Sequence, residues 1–210
     1  MNHIRGIILE GYSNAGKTSV LKALKLLQAQ DEQSERSIIV LSEHYSQILN
    51  NVHGEFQQLN RDQHLQVLKE RVQMLRQLND WADYLGPDAS RASRGIFFIL
   101  ERFHLNHRAA FPHDSPDEIE SIENELLLLG GKCVLLTVSS EIVEQRMQSR
   151  TPNEWKHKSK EDIRKSAEAF IQTQSELRRQ AKLSVLPTIE INTDDKDWIT
   201  YAGRLMDLLK

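Results

Sequence analysis

The near-neutral charge of the 210-residue chain narrows the classes of protein to which it can belong. The chain has 27 Lys and Arg against 30 Asp and Glu, a formal net charge of −3. Proteins that coat nucleic acid or an anionic membrane carry a large basic excess, so we expect neither as a partner. Cys133 is the only cysteine, which excludes an intrachain disulfide and a cysteine-rich metal site. Neither a signal peptide nor an apolar run of about 20 residues is found, so we expect a cytoplasmic protein.

Short apolar runs predict five β-strands, the first of which lies close to the start of the chain. The runs are Ile4–Leu9, Ser37–Leu41, Ile96–Leu100, Cys133–Val138 and Thr188–Ile191. The first four are apolar along most of their length, whereas a strand with one solvated face would alternate apolar and polar residues. The runs therefore predict a parallel sheet that is covered on both faces.

Stretches with helical periodicity separate these strands. The predicted helices are Lys17–Gln30, residues 60–85, Ser115–Leu129, Glu141–Arg150, Lys160–Ala181 and Trp198–Leu209. The longest has apolar residues at steps of three or four, namely Leu65, Leu68, Val72, Leu75 and Leu78. The turn-rich segment Gly86–Gly95 predicts a loop. Alternating strands and helices with no repeat or linker predict one α/β domain over residues 1–210.

The turn between the first strand and the first helix matches the complete phosphate-binding motif G-x-x-x-x-G-K-S/T. Its residues are Gly11, Tyr12, Ser13, Asn14, Ala15, Gly16, Lys17 and Thr18, and Ser19 follows. Glycines let the backbone fold around an anion with its N–H groups pointing inward, and the start of the helix adds partial positive charge. Lys17 supplies a mobile charge for the terminal phosphates, and Thr18 supplies a hydroxyl for Mg²⁺. The motif predicts a nucleotide-binding P-loop.

Other sequence features distinguish among the classes of P-loop protein. A GTPase normally carries D-x-x-G after a strand and N-K-x-D near a later one, and the sequence has neither motif in such a place. A motor ATPase usually needs a longer chain for its mechanical element. A compact chain with a basic helical segment late in the sequence instead favours a small-molecule kinase.

The segment after the third predicted strand resembles a motif of the deoxynucleoside kinases. The apolar run Ile96–Leu100 is followed by Glu101 and Arg102. This is similar to the Glu-Arg-Ser type of motif in that family and, more distantly, to the Asp-Arg motif of the thymidylate kinases. The resemblance implies a P-loop three-layer α/β sandwich, with about five parallel strands, helices on both faces and a helical lid near residues 150–160. It also implies ATP and Mg²⁺ as ligands.

A second similarity to these kinases covers the later part of the chain. Val138–Arg150 is similar to the helix that leads into their lid, and Arg146 and Arg150 have the spacing of the lid arginines. Residues four apart share one face of a helix. The resemblance implies that Arg146 stacks on adenine and that Arg150 reaches the transferring phosphoryl group, roles that suit a planar, forked guanidinium. It also implies that Asn192 and Thr193, after the last strand, lie against adenine.

Two acidic residues follow predicted strands, at the sheet edge where ligands bind in α/β folds. Glu43, here followed by His44, stands where a deoxynucleoside kinase has the Glu that takes the proton from the acceptor hydroxyl. Glu101 ends an apolar strand, where we expect an acid to have one of three roles. It would hold a water bound to Mg²⁺, accept a hydrogen bond from a hydroxyl, or place negative charge at the N-terminus of a helix. Arg102 would then reach the oxygen of the acceptor molecule and the phosphates. We therefore expect five catalytic residues, Lys17, Glu43, Glu101, Arg102 and Arg150. We expect three metal-binding residues, Thr18, Glu43 and Glu101.

Together these expectations describe an ATP- and Mg²⁺-dependent phosphotransferase that acts on a hydroxyl of a small molecule, with a nucleoside as the first candidate. The segment Glu43–Asn51, where thymidylate-type kinases hold the acceptor's phosphate, contains no Arg or Lys, which favours a neutral acceptor. A nucleoside monophosphate kinase stays open, with Arg71, Arg76 or Arg102 as the phosphate ligand. A non-catalytic nucleotide-binding regulatory protein and a homodimer stay open as well.

Overall fold

The computed structural model describes residues 3–85, 95–113 and 115–209. Its strands are β1 (Ile4–Glu10), β2 (Ser37–Leu41), β3 (Leu49–Val52), β4 (Glu55–Gln58), β5 (Ile96–Glu101), β6 (Gly131–Thr137) and β7 (Thr188–Asn192). Its α-helices are α1 (Lys17–Gln30), α2 (Arg61–Tyr84), α3 (His104–Ala110), α4 (Asp117–Leu128), α5 (Val143–Arg150), α6 (Pro152–Trp155), α7 (Lys160–Leu183) and α8 (Trp198–Asp207). Single 3₁₀ turns occur at Glu43–Tyr45 and Ser140–Ile142.

Five strands form one parallel sheet in the order β2-β5-β1-β6-β7. β1 lies at the centre of this sheet, where Leu9 pairs in register with Glu101 of β5 on one side and with Val134 of β6 on the other. Every residue of β5 is buried. The predicted five-stranded parallel sheet is confirmed, and the carboxyl ends of β1 and β5 meet beside the P-loop.

Apolar side chains fill both faces of the sheet, so the molecule has three layers. Ile7 and Leu9 of β1 pack into a core with α1, α5 and α8, whereas Ile8 packs into a second core with α2, α3 and α4. Successive residues of a strand point to opposite faces, which is why one apolar strand contributes to two cores. The continuous apolar runs of the sequence are explained by this double burial.

The longest predicted helix has the apolar stripe that its sequence periodicity indicates. Leu65, Leu68, Val72 and Leu75 are buried against the sheet. The helix begins at a capping box, in which the Asn60 side chain accepts from the Gln63 N–H while the Gln63 side chain accepts from the Asn60 N–H. The two bonds satisfy N–H groups that the start of a helix leaves unpaired.

A β-hairpin and a short helix of the described chain were not predicted from the sequence. β3 and β4 form an antiparallel hairpin whose turn residues, His53 and Gly54, both have positive φ, at 52° and 89°. This is the backbone of a two-residue hairpin turn, but the strands are mostly exposed and lack an apolar alternation. The short helix α3 directly follows the Glu-Arg motif. The predicted loop Gly86–Gly95 lies, apart from its last residue, outside the described residues. Among the helices of the described ranges, none is long and apolar enough to cross a membrane.

Candidate functional site

The turn between β1 and α1 has the backbone of a phosphate-binding loop. Gly11 and Gly16 have φ values of 141° and 96°, a region that L side chains rarely adopt. A Cβ atom at Gly11 would lie 2.7 Å from the Leu136 carbonyl oxygen, and one at Gly16 would lie 2.6 Å from the Trp198 ring. Asn14 also has a positive φ, 80°. The glycines of the motif are therefore required by both conformation and space.

The side chains of the P-loop divide between the core and the solvent. Tyr12 and Ala15 are buried, and the Tyr12 ring lies 5.2 Å from the ring of Phe170 on α7. Burial raises the pKa of the Tyr12 hydroxyl to about 12. Tyr12 and Ala15 thus contribute their backbone to the loop and their side chains to the core. Thr18 is exposed, so its hydroxyl is accessible to a ligand.

Lys17 is folded back into the loop that it follows. Its Nζ donates to the carbonyl oxygens of Gly11, at 2.9 Å, and Tyr12, at 3.1 Å. Burial, together with the charge of Arg102, lowers the pKa of this ammonium to about 8, against the opposing effect of nearby carboxylates. Phosphate oxygens would be stronger, charged acceptors than these carbonyls. Lys17 is therefore held where an arriving phosphate can attract it.

A cavity of about 380 Å³ opens over the P-loop and brings together side chains from distant parts of the sequence. It is lined by Ser13, Asn14, Gly16, Lys17, Thr18, Ser19, Glu43, Arg102, Arg146, Ser149, Arg150, Lys196 and Trp198. Five of these side chains are cationic, and Glu43 is the one carboxylate among the described lining residues. The volume lies within the range of small-molecule sites, and the excess of cations suits a polyphosphate.

Arg102 joins the P-loop to the turn after β2. Its Nη2 donates to Ser13 Oγ at 2.7 Å, and its Nε lies 2.9 Å from Glu43 Oε2. The backbone of Arg102 has a φ of 52°, which is uncommon for a residue with a side chain. Its own N–H donates to the carbonyl oxygen of Leu9 at 3.0 Å. The arginine of the predicted motif therefore lies between the predicted base and the phosphate cradle.

Glu101 is buried at the end of β5 and lies behind the cavity rather than in its lining. Burial raises the pKa of its carboxyl, although the positive charge of Lys17 opposes this effect. Within the described part of the chain, Glu101 Oε1 has no hydrogen-bond partner. An unpaired buried carboxylate oxygen near Lys17 fits a cation or its bound water. Together with Thr18 and Glu43, it offers the oxygen ligands that Mg²⁺ prefers.

The two arginines predicted for the lid lie on α5, and both reach the cavity. Arg146 is buried, its Nη2 donates to the carbonyl oxygen of Thr193, and its guanidinium lies 5.7 Å from the centre of the Trp198 ring, a cation–π distance. Arg150 is exposed, and its Nη1 donates to Asn14 Oδ1 at 2.8 Å. Arg150 thus contacts the P-loop directly, whereas Arg146 contacts the segment after β7.

Asn192 and Thr193 are close to the site but do not belong to the described lining of the cavity. The Thr193 hydroxyl lies 2.9 Å from the carbonyl oxygen of Ala15 and 3.0 Å from that of Thr137, so it fastens the P-loop to the end of β6. The Asn192 amide donates to Ser139 Oγ and Asp194 Oδ2. Both side chains are engaged in holding backbone and neighbouring side chains.

The sequence interpretation missed three lining residues, Ser149, Lys196 and Trp198. Trp198 begins α8 and lies against Gly16, which brings an aromatic ring to the P-loop and to Arg146. A tryptophan shortly after the last strand, close in sequence to Asn192, was the available signal. The Trp198 ring suits a purine base better than the Asn192 amide does, because an aromatic face can stack on a base.

Comparisons with known proteins bear on the fold. No protein-family model and no curated protein matches the sequence. The structure of the YorR protein from Bacillus subtilis, in complex with phosphorylated GDP, is similar over 97% of this chain and 95% of its own, with a TM-score of 0.61 and 15% identity. A thymidylate kinase from Ehrlichia chaffeensis is similar over 98% and 97% of the two chains, with a TM-score of 0.49 and 13% identity. A deoxyadenosine kinase from M. mycoides with bound dCTP is similar over 97% and 99%, with a TM-score of 0.45 and 16% identity.

The full-length similarity to the YorR protein agrees with two features of the chain, the five-stranded parallel sheet and the P-loop between its central strand and α1. The fold predicted from the P-loop and the Glu-Arg motif is confirmed. The chain has a three-layer α/β fold with five parallel strands and a P-loop between the central strand and α1.

Proposed function

We propose that the protein is an ATP- and Mg²⁺-dependent kinase that transfers the γ-phosphoryl group to a hydroxyl of a small molecule, with a nucleoside as the first candidate. The observation that carries the proposal is the Arg102–Glu43 ion pair, 2.9 Å long, in the cavity that Lys17 also lines. A carboxylate and two cations beside a phosphate cradle are the groups that phosphoryl transfer to a hydroxyl requires.

The donor nucleotide would bind along the P-loop. The N–H groups of Gly11–Thr18 and the ammonium of Lys17 hold its phosphates. Thr18, with Glu43 and Glu101, would hold Mg²⁺, which neutralises phosphate charge when bound. The base lies toward Arg146 and Trp198, whose planar groups favour stacking.

The acceptor hydroxyl would bind at Glu43. As the hydroxyl oxygen attacks the γ-phosphorus, its proton passes to the Glu43 carboxylate, and the bond to the bridging oxygen of ADP breaks. Arg102 and Arg150 stabilise the charge that spreads over the transferred group. The exposed segment 150–160, which contains α6, acts as a lid that closes and limits the hydrolysis of ATP by water.

An acceptor that already carries a phosphate is the second candidate, and Arg71 favours it. Its Nε donates to the carbonyl oxygen of Tyr45 at 3.3 Å, in the same turn as Glu43. Arg76, in contrast, pairs with Glu125 of α4 and lines a separate groove between α2 and α4. A phosphate on the acceptor would therefore be held by Arg71 or Arg102 rather than Arg76.

Transfer of labelled γ-phosphate from ATP, in the presence of Mg²⁺, tests the proposal across a panel of nucleosides, nucleoside monophosphates, sugars and hydroxylated antibiotics. Lys17→Ala serves as the blank, and Lys22→Ala, an exposed lysine of the same helix, is the matched control. Label on a hydroxyl compound supports the proposal and names the acceptor, and label only on monophosphates selects the second candidate. ATP binding that requires Lys17 without transfer to any compound contradicts the proposal and favours a nucleotide-binding regulatory protein.

A further inference from the structure

A buried carboxylate behind the P-loop has no role in the function proposed above. Glu10 is the last residue of β1, directly before Gly11, and only 1% of it is exposed. Its Oε1 accepts two backbone hydrogen bonds, from the N–H groups of Phe103 and Leu105, each 2.9 Å long. These N–H groups lie at the start of α3, immediately after Arg102. One carboxylate oxygen therefore links the base of the P-loop to the segment that follows the arginine.

Arg102 itself has a backbone conformation that needs such support. Its φ of 52° lies in the left-handed region, which is strained for a residue with a side chain and persists only where the surroundings enforce it. The Arg102 N–H donates to the carbonyl oxygen of Leu9, and the next N–H, that of Phe103, donates to Glu10. The last two residues of β1 thus hold the peptide groups on both sides of the Arg102 Cα.

A carboxylate at this position is costly for folding alone. Burial raises the pKa of Glu10 to about 7, although its two backbone hydrogen bonds and the charges of Lys17 and Arg102 oppose the shift. An apolar side chain of similar length would fill the same space without desolvating a carboxyl group. What the carboxylate supplies, and an apolar side chain does not, is an acceptor for the two N–H groups after Arg102.

We propose that Glu10 is a positioning residue for phosphoryl transfer, which acts through Arg102 by holding its guanidinium between Ser13 and Glu43. This inference rests on the proposed function, because Arg102 is there assigned to the transferred group. Glu10 touches neither nucleotide nor acceptor in this scheme. Its effect on the reaction passes entirely through the backbone at residues 102–105.

The two hydrogen bonds end on the same oxygen, which allows a sharp choice of variants. Glu10→Gln keeps a carbonyl oxygen that can accept both bonds, so it retains the position of Arg102 without the charge. Glu10→Met removes the acceptor at similar side-chain length. Glu10→Asp keeps the carboxylate but withdraws it by one methylene, and it serves as a second loss variant should E10M fold poorly.

Steady-state kinetics separate a positioning role from a structural one. We expect E10M and E10D to lower kcat by about 10²-fold, which is the effect of a small misplacement of a reacting group. The KM for ATP should change little in both variants. E10Q should retain the kcat of the wild type. In an Arg102→Ala background, E10M should have no further effect on kcat, because the residue through which it acts is gone. Leu126→Ala, a truncation in the same core, controls for lost stability and should lower the melting temperature without lowering kcat. An E10M loss that multiplies with that of R102A overturns the inference.

A spectroscopic measurement tests the same inference without any turnover. In protein labelled with ¹⁵N-arginine, the Nε–H signal of Arg102 is the one lost in R102A. We expect E10M and E10D to shift or broaden this signal and E10Q to leave it in place. An unchanged signal in E10M and E10D contradicts the role of Glu10, whereas a failure of the wild type to transfer phosphate contradicts the proposed function alone.

Discussion

Arg102 Nη2 donates a 2.7 Å hydrogen bond to Ser13 Oγ, so the residue after β5 directly contacts the P-loop. The same guanidinium lies against Glu43, on the turn after β2. Three chain segments that are far apart in sequence are thus connected through one side chain. Because the donor phosphates and the acceptor would lie on opposite sides of this guanidinium, changes on either side should affect turnover in distinguishable ways.

Glu43→Gln tests whether Glu43 takes the proton from the acceptor hydroxyl. We expect turnover on a hydroxyl acceptor to fall by about 10²–10⁴-fold, the usual contribution of a general base, because the amide cannot take the proton. ATP binding should persist, since the P-loop backbone and Lys17 are unchanged. Turnover and ATP affinity are measured side by side, with Glu55→Gln on the exposed strand β4 as the control. Unchanged turnover in E43Q would remove Glu43 from the chemistry.

Arg150→Ala tests whether Arg150 stabilises the transferred phosphoryl group. Arg150 is exposed and contacts Asn14 of the P-loop, so its guanidinium is free to move onto the phosphates when α5 and the lid approach the nucleotide. We expect kcat to fall by about 10²-fold, as for the loss of one preorganised donor, with a smaller loss of ATP affinity. Arg164→Ala, an exposed arginine of α7 that pairs with Glu168, is the matched control. A loss of affinity larger than the loss of turnover would make Arg150 a binding residue.

Trp198 provides an optical test of the base site. Its ring lies against Gly16 and beside Arg146, whereas Trp81 is exposed at the end of α2. Trp155 lies on α6 in the proposed lid, so the test uses a Trp155→Phe background. In that background we expect ATP to change the tryptophan fluorescence of Trp81→Phe but not of Trp198→Phe. Trp198→Ala should weaken ATP binding about tenfold, a typical effect of losing one stacking partner. A full nucleotide signal in W198F would move the base away from this ring.

The central parts of the fold were predictable because their signals are local. The apolar run of β1, the glycines of the P-loop and Lys17 follow one another within 14 residues, and each has a direct physical requirement. The Glu-Arg pair after β5 was also visible, because a charged pair at the end of a wholly apolar strand is unusual. Local motifs of this kind depend little on the rest of the chain.

The remaining features depend on contacts between distant residues, which periodicity does not reveal. Glu10 lies at the end of an apolar strand, and only its bonds to Phe103 and Leu105, more than 90 positions away, distinguish it from an ordinary strand terminus. Trp198 reaches the site because α8 packs beside α1. The hairpin of β3 and β4 has three apolar residues, Leu49, Val52 and Phe56, which do not alternate along the sequence as a half-buried strand would require.

Buried histidines beneath the site give the protein a predictable response to acid. His64 Nε2 lies 2.7 Å from the Ser46 carbonyl oxygen, to which it must donate, so its Nδ1 accepts from His107 Nδ1–H at 2.9 Å. This arrangement requires both rings to be neutral, which their burial favours. Burial lowers the pKa of His64, and burial together with the neighbouring His64 lowers that of His107 to about 3.

His104 on α3 gives the most direct prediction of how acid changes the stability of the protein. It is fully buried, and within the described ranges neither ring nitrogen has a hydrogen-bond partner. Burial lowers its pKa to about 4. The unfolded chain binds a proton at this residue below about pH 6.5, but the folded chain does so only near pH 4, so stability is lost as the pH falls between these values. The full shift corresponds to about 3 kcal/mol.

The titration of Glu10 changes stability in the opposite direction over part of the range between pH 4 and pH 6.5. Its pKa is raised to about 7, so its contribution to stability is fully present below pH 4.5 and is lost as the pH rises through 7. Burial also raises the pKa of Glu101, which acts in the same direction, so two carboxyl groups oppose three histidines. We therefore expect the free energy of unfolding, measured by urea denaturation, to decrease from pH 6.5 to pH 4. His104→Phe should reduce the slope of this decrease, and His157→Phe, at an exposed position, should not. An equal slope in H104F and the wild type would mean that His104 is charged in the folded protein, which its burial next to Arg108 opposes.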